Sequence, residues 1–196
     1  SGSVDAGQPA IYRTRFESSF SRFLWHDRDG GAGGYWEVQY ADGRVGFFGA
    51  DQSGQIDADA LEAVGNQTFK YHLVEMVDVY GHRMRMQYVK DGNISLVSGI
   101  DYVFTNSSPV YQVQFSYDGR PDAVSDAKAG FDRILTRRLA GVRVTTRGQQ
   151  LRRYAISYDS EAESGRRSRV RTIESFGSTD ERYPVVHAFG YSRGLG

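Results

Sequence analysis

The sequence predicts an all-β domain: an antiparallel meander of β-hairpins with an open or curved sheet. Three observations predict it. Apolar and polar residues alternate with a period of two in run after run. Turn dipeptides built on Asp and Gly separate the runs at near-regular spacing. Helix signals are few: residues 58–64 could make one short helix, and 126–138 are ambiguous. The pattern is set by residues 35–49, YWEVQYADGRVGFFG. There Trp36, Val38 and Tyr40 alternate with Tyr35, Glu37 and Gln39, Asp42-Gly43 supplies a reversal, and Gly49 closes the returning strand.

The elements follow in chain order. Tyr12, Thr14 and Phe16 alternate with Arg13, Arg15 and Glu17, which predicts a first strand. Residues 20–25 continue it or begin a second, and the Gly-rich segment 26–34 predicts a loop. After the 35–49 hairpin, Asp59 and Glu62 resemble a capping box ahead of Gly65. Residues 69–77 predict one strand, reversed by a turn at Asp78 and Gly81. Met84, Met86 and Tyr88 form the next, with Asp91-Gly92 as its turn. Ile100, Tyr102 and Phe104 precede a loop at 106–109, and Tyr111, Val113, Phe115 and Tyr117 give the cleanest alternation in the chain. Asp118-Gly119 is expected to turn that strand. Residues 126–138 suit a strand and a short helix equally. Val142 and Val144, then Tyr154, Ile156 and Tyr158, flank a Gly148 turn; 161–167 is a charged loop and 170–176 a last strand.

With 196 residues the chain suits one domain, spanning 11–192. Residues 1–10 read as a linker that begins with a cloning remnant, Ser1-Gly2-Ser3, and 193–196 as a tail. The domain is expected to be a piece of a larger protein. A formal net charge of zero argues against a dedicated nucleic-acid or membrane-surface binder. Positive charge is almost entirely arginine, since lysine occurs only at 70, 90 and 128. Cysteine is absent, so neither a thiol nucleophile nor a disulfide framework is available. No apolar run is long enough to span a bilayer as a helix.

The order of the segments resembles one family. YRTRFESSFSRF, YWEVQYADGRVGFFG, FKYHLVEMVDVYGHRMRMQY, SGIDYVF, YQVQFSYDGRPD, RRLAGVRV, LRRYAISYD and SRVRTIESFG together resemble a β-rich region of SpvB/TcB-type proteins of insecticidal toxin complexes. Their hairpins are similar to the Tyr-Asp units of RHS/YD-repeat proteins, and the resemblance spans roughly residues 12–177. It implies an RHS/YD-like sheet with a non-catalytic, structural role in a secreted bacterial toxin complex, contributing to a shell or assembly surface for toxin delivery. The implied partners are other domains of the same polypeptide and the other complex subunits. No cofactor, nucleic acid or membrane insertion by this segment is implied. The implied route is folding in the bacterial cytoplasm and then secretion. Raw sheet edges also predict self-association. The loops at 26–34 and 50–66 match no pattern of that family.

The residues offer little rival chemistry. His26, His72, His82 and His187 lack metal-ligand spacing, although His72 and His82 flank one turn and could face each other. Asp51, Ser53, Gln55, Asp57, Asp59 and Glu62 fall at calcium-loop positions, but Ile56 stands where the loop needs Gly. Glu37, Glu75 and Asp101 sit on polar strand faces, where acids are usually solvated or paired with Arg. The basic run 166–171 is offset by Glu161 and Glu163. Asn66, Asn93 and Asn106 are sequons that matter only in a eukaryotic secretory route. The site residues expected are therefore turn formers: Asp42, Gly43, Gly49, Asp78, Gly81, Asp91, Gly92, Asp118 and Gly119. The alternative function is a carbohydrate-binding or adhesive module on the bacterial surface, with Trp25, Tyr35 and Trp36 as stacking candidates beside Phe47 and Phe48. Alternation with polar residues favours sheet core for these rings.

Overall fold

The computed structural model describes residues 9–13, 20–28, 33–159 and 167–191. Twelve strands form one antiparallel sheet, and the sheet is not closed into a barrel. They begin with β1 (Ala10–Tyr12), β2 (Arg22–Arg28), β3 (Gly33–Gln39) and β4 (Val45–Phe48). Next come β7 (Leu73–Val77), β8 (Arg83–Asp91), β9 (Ile94–Thr105) and β10 (Ser108–Asp126). The last are β11 (Arg133–Thr146), β12 (Gln149–Tyr158), β13 (Val170–Phe176) and β14 (Arg182–Ala188). Each lies beside its predecessor in sequence, with one interruption. Between β4 and β7 the chain leaves the sheet to make a separate two-stranded hairpin, β5 (Leu61–Val64) and β6 (Gln67–Tyr71).

That excursion has a structural reason. β4 and β7 have 4 and 5 residues, between a β3 of 7 and a β8 of 9. Gly33–Tyr35 of β3 and the end of β8 from Met86 onward therefore lack partners on β4 and β7. Segment 49–72 fills this notch. Gly49 N–H donates to His72 O (2.8 Å), Asp57 N–H to Gly49 O (3.0 Å), and His72 N–H to Ala60 O (2.8 Å). Gly49 has φ +83°, and a Cβ there would lie 2.7 Å from Tyr71 and 2.8 Å from Leu61, so only glycine fits.

β10 and β11 are the longest hairpin. β9 pairs with β10 only as far as Gln114, opposite Gly99, so the outer part of the hairpin leaves the ladder with β9. It returns to the β8–β9 turn, where Asp91 accepts hydrogen bonds from Thr136 N (2.6 Å), Thr136 Oγ1 (2.5 Å) and Arg137 N (3.0 Å). Phe131 just before β11 meets Phe69 of the inserted hairpin edge to face at 6.4 Å. The fully apolar core is small: Val38, Phe47, Ala50, Ala60 and Val74.

The structure corrects several expectations. Residues 58–64 hold no α-helix: Ala58–Ala60 make one 3-10 turn, capped by Asp57 rather than Asp59, and Leu61 onward is strand because it pairs with β6. Asp118 and Gly119 do not turn the chain. They lie inside β10, opposite Arg138 and Arg137, and an irregularity between Gly119 and Val124 absorbs the turn-forming residues as a bulge. His26 belongs to β2 and Gly33-Gly34 to β3, so the expected 26–34 loop is shorter than predicted. Residues 69–77 are two strands, split at His72. Residues 126–138 are the end of β10, a turn and the start of β11. The first expected strand is described only at Ala10–Tyr12; Thr14, Phe16, Glu161, Glu163 and Arg166 lie outside the described residues.

Candidate functional site

The remaining predicted turns are turns. Gly43 (φ +83°) closes the β3–β4 loop with Gly43 N–H donating to Tyr40 O at 3.0 Å, and the Asp42 carboxylate accepts from Arg44. Asp78 accepts from Tyr80 N, His82 N and His82 Nδ1, all at 2.9 Å, and Gly81 has φ +82°. Gly92 has φ +60°. Asp91 does more than turn, since its buried carboxylate holds the start of β11.

The stacking candidates are divided between the two faces of the sheet. Trp25 and Trp36 are cross-strand neighbours with rings 5.1 Å apart and tilted 55°. Trp25 meets Tyr71 edge on at 5.6 Å, and Trp36 meets Tyr12 edge on at 5.2 Å. Tyr12, Trp36 and Tyr71, with Phe23, Val38 and Phe69, line an apolar cup of about 490 Å³ between the sheet and the inserted hairpin. Tyr35 points the other way and stacks on His26, 4.6 Å apart and 3° from parallel. Phe47 is core.

The acids form a row that crosses the sheet on the face opposite Trp36. Glu37, Phe47, Glu75, Arg85, Asp101, Gln112 and Thr145 are successive cross-strand partners from β3 to β11. Glu75 is fully buried; it accepts from Arg85 Nε (3.0 Å) and from Gln52 N–H of the insert (2.8 Å). Asp101 accepts from Gln87 (2.8 Å) and Gln112 (3.0 Å), and Glu37 from His26 and Gln39, both at 2.8 Å. Glu75 pairs with Arg as its position suggests, yet it and Asp101 are buried rather than solvated, because the insert and the amide neighbours cover them.

His72 and His82 do not face each other. His82 is exposed on Asp78, whereas His72 is tied to Glu62 (2.8 Å). Glu62, 1% exposed, also takes Arg133. Burial, helped by Lys70 and Lys90, holds the His72 imidazole below its ordinary pKa against the pull of Glu62. Burial pushes Glu62 up, but the His72 hydrogen bond and the Arg133 charge outweigh it and keep the carboxyl below its ordinary value. Lys90, lowered by burial, donates from Nζ to Leu61 O and to Ser95 Oγ (3.0 Å). Of the calcium-loop positions, Asp51 accepts from Ser53 and Gln55, Asp57 caps the 3-10 turn, and Glu62 points into the His72–Arg133 cluster. No group of three or more acids and histidines positioned for a metal occurs among the described residues.

Sequence reasoning named Glu62 and His72 only for other roles and missed Arg133 and Asp122; Glu62, Arg133 and Asp122 on strands, and His72 between β6 and β7, fasten separate parts of the chain. Asp122 accepts from Ser168 N (2.6 Å), Ser168 Oγ (2.5 Å) and Arg120, and the Arg120 and Ser168 hydrogen bonds hold its carboxyl far below the ordinary range. The only signal was their number on strands that already had a polar face.

Residues 8–102 match the family described as Salmonella virulence plasmid 65kDa B protein, SpvB. No curated protein matches the chain. Among solved structures, "Crystal Structure of TcdB2-TccC3-Cdc42" matches with a TM-score of 0.74 and 16% identity, over 91% of this chain and 11% of the other. The N-terminal domain of effector protein SpvB from Salmonella typhimurium strain LT2 matches with 0.72 and 16%, over 90% of this chain and 72% of the other. At such identity the structural likeness is one of fold, and this chain spans about a tenth of the first matched chain's length.

Proposed function

Because residues 8–102 are SpvB-type sequence in a sheet of the SpvB and toxin-complex kind, we propose that this chain is a non-catalytic scaffold domain of a secreted bacterial toxin. It contributes β-sheet to a shell or assembly surface and joins other domains of its own polypeptide and other subunits of a toxin complex. The supporting observation is the sheet itself: its twelve strands, in sequential order, end in β1 and β14, which among the described residues pair on one side only. Its polar side chains support the same reading. The buried carboxylates of Glu75, Asp101 and Glu62 are consumed by structural hydrogen bonds, where catalytic acids would be held open toward a substrate. Irregular Tyr-Asp hairpins support a relation to YD-repeat sheets.

Deletion of residues 9–191 from the full-length protein tests this. Assembly with its partner subunits, read by native mass spectrometry, should be lost while the intrinsic activity of the toxic segment, made separately, persists. Unchanged assembly would overturn the reading.

The adhesive alternative draws on the cup around Trp36. The rings of Tyr12, Trp25, Trp36 and Tyr71 meet at 55–80° rather than lying coplanar, which makes a packed cluster and no flat sugar platform. A glycan array with binding lost in Trp36→Ala would favour adhesion over scaffold.

A further inference from the structure

A second lateral row lies beside the acidic one on the same face, two residues along each strand: Gln87, Gly99, Gln114, Arg143, Arg153 and Phe176, each opposite the next. A third row, Ser116, Gly141 and Ala155, has short side chains. The sheet is therefore hollowed here, and Gln87, Gln114, Arg143 and Arg153 stand around a depression of about 470 Å³. Gly141 forms its floor; a Cβ there would lie 2.8 Å from Tyr154 O and 3.1 Å from Ser116 Oγ.

Arg143 and Arg153 are directly opposite on neighbouring strands, an arrangement in which like charges repel. Their compensation is incomplete. Arg153 Nε donates to Asp180 (2.9 Å) and its guanidinium lies 3.8 Å from the Phe176 ring centroid. Glu174, next in the third row, is taken by Arg182 at 2.5 Å. Arg143 is exposed and has no hydrogen bond or ion pair among the described residues; the Asp180 carboxylate feels its charge only at a distance. Two guanidinium forks over a small-residue floor match an oxyanion, and the planar fork suits a carboxylate bidentately.

The charge distribution says what would present that carboxylate. Residues 1–102 have 14 acidic and 9 basic side chains, and residues 103–196 have 10 and 15. Because strand order follows sequence, one flank of the sheet is acidic and the flank holding Arg143 is basic. A polypeptide surface like the acidic flank has the complementary charge.

We propose that the hollow between Arg143 and Arg153 binds a carboxylate side chain of an acidic polypeptide segment. Fluorescence anisotropy with labelled poly-L-glutamate at low salt tests it, with poly-L-lysine and inorganic phosphate as comparisons. Poly-L-glutamate should bind, and Arg143→Gln should weaken it about tenfold, the loss expected for a charge-assisted hydrogen bond. Arg143→Lys should fall between, and Arg137→Gln, away from the hollow, should bind as wild type. Relief of the Arg143–Arg153 repulsion should leave the unliganded Arg143→Gln variant with an equal or higher Tm, so its weaker binding cannot be unfolding. Absent binding of poly-L-glutamate, equal binding by Arg143→Gln, or Arg143-dependent binding of phosphate alone would each overturn the assignment.

Discussion

Arg133 on β11 and Glu62 on β5, 71 positions apart, meet through a forked contact in which Nε (2.9 Å) and Nη2 (2.7 Å) both reach the same carboxylate oxygen, Oε2. The other oxygen is held by His72. The contact fastens the insert that fills the notch to the far end of the longest hairpin. Glu62→Ala should therefore destabilise the domain by about 3 kcal/mol or more, because Arg133 and His72 lose a buried partner. Glu62→Gln should cost less, since the amide oxygen still accepts. Urea unfolding of the three proteins measures this; equal midpoints would refute it.

His72 and Glu62 make the insert sensitive to acid. A base whose folded pKa lies below its unfolded value favours unfolding once the unfolded form binds a proton, so the His72 contribution declines as pH falls below about 6.5. A carboxyl whose folded pKa is depressed stabilises above its unfolded value, so Glu62 adds a second loss below about pH 4.5. Tm should drop from pH 7 to 5 and again toward pH 4. In His72→Gln the upper step should vanish and the lower one remain.

Asp91 should behave as a brace between hairpins and not as an ordinary turn residue. Asp91→Ala strands the N–H groups of Thr136 and Arg137, at a cost of about 2–3 kcal/mol. Hydrogen exchange should quicken at 133–137 more than at the β8–β9 turn itself. Faster exchange confined to the turn would show that the brace does not matter.

The free edges should stick. Val185 on β14 is 63% exposed, and only Pro184 beside it withholds a donor. Light scattering should show association that rises with protein concentration, and Val185→Lys should reduce it. A strictly monomeric wild-type chain at high concentration would count against open edges.

Much of the fold was legible because period-2 alternation states which side chains share a face. Trp36 and Val38 were readable that way, as were the glycines at 43, 81 and 92, whose positive φ other residues resist. Asp118-Gly119 gives the same signal and means something else, because a bulge accommodates the same residues as a turn and the choice depends on how far β11 continues. The segment 58–64 was misread for a related reason: helix spacing is local, whereas pairing with β6 is decided by the insert. Burial of Glu62, Glu75 and Asp101 was illegible, since alternation assigns a face but says nothing of what covers it. In this chain the cover comes from segments far along the sequence.

The sequential order of the strands also fixes how the domain meets mechanical load. β1 and β14 are opposite edges of the sheet, so tension between the two ends of the described chain pulls across the strands and not along them. The ladders then open as a zipper, one hydrogen bond at a time, instead of shearing together. Such a sheet peels strand by strand at low force, with the notch insert and its Glu62–Arg133 clasp as the main catch along the way.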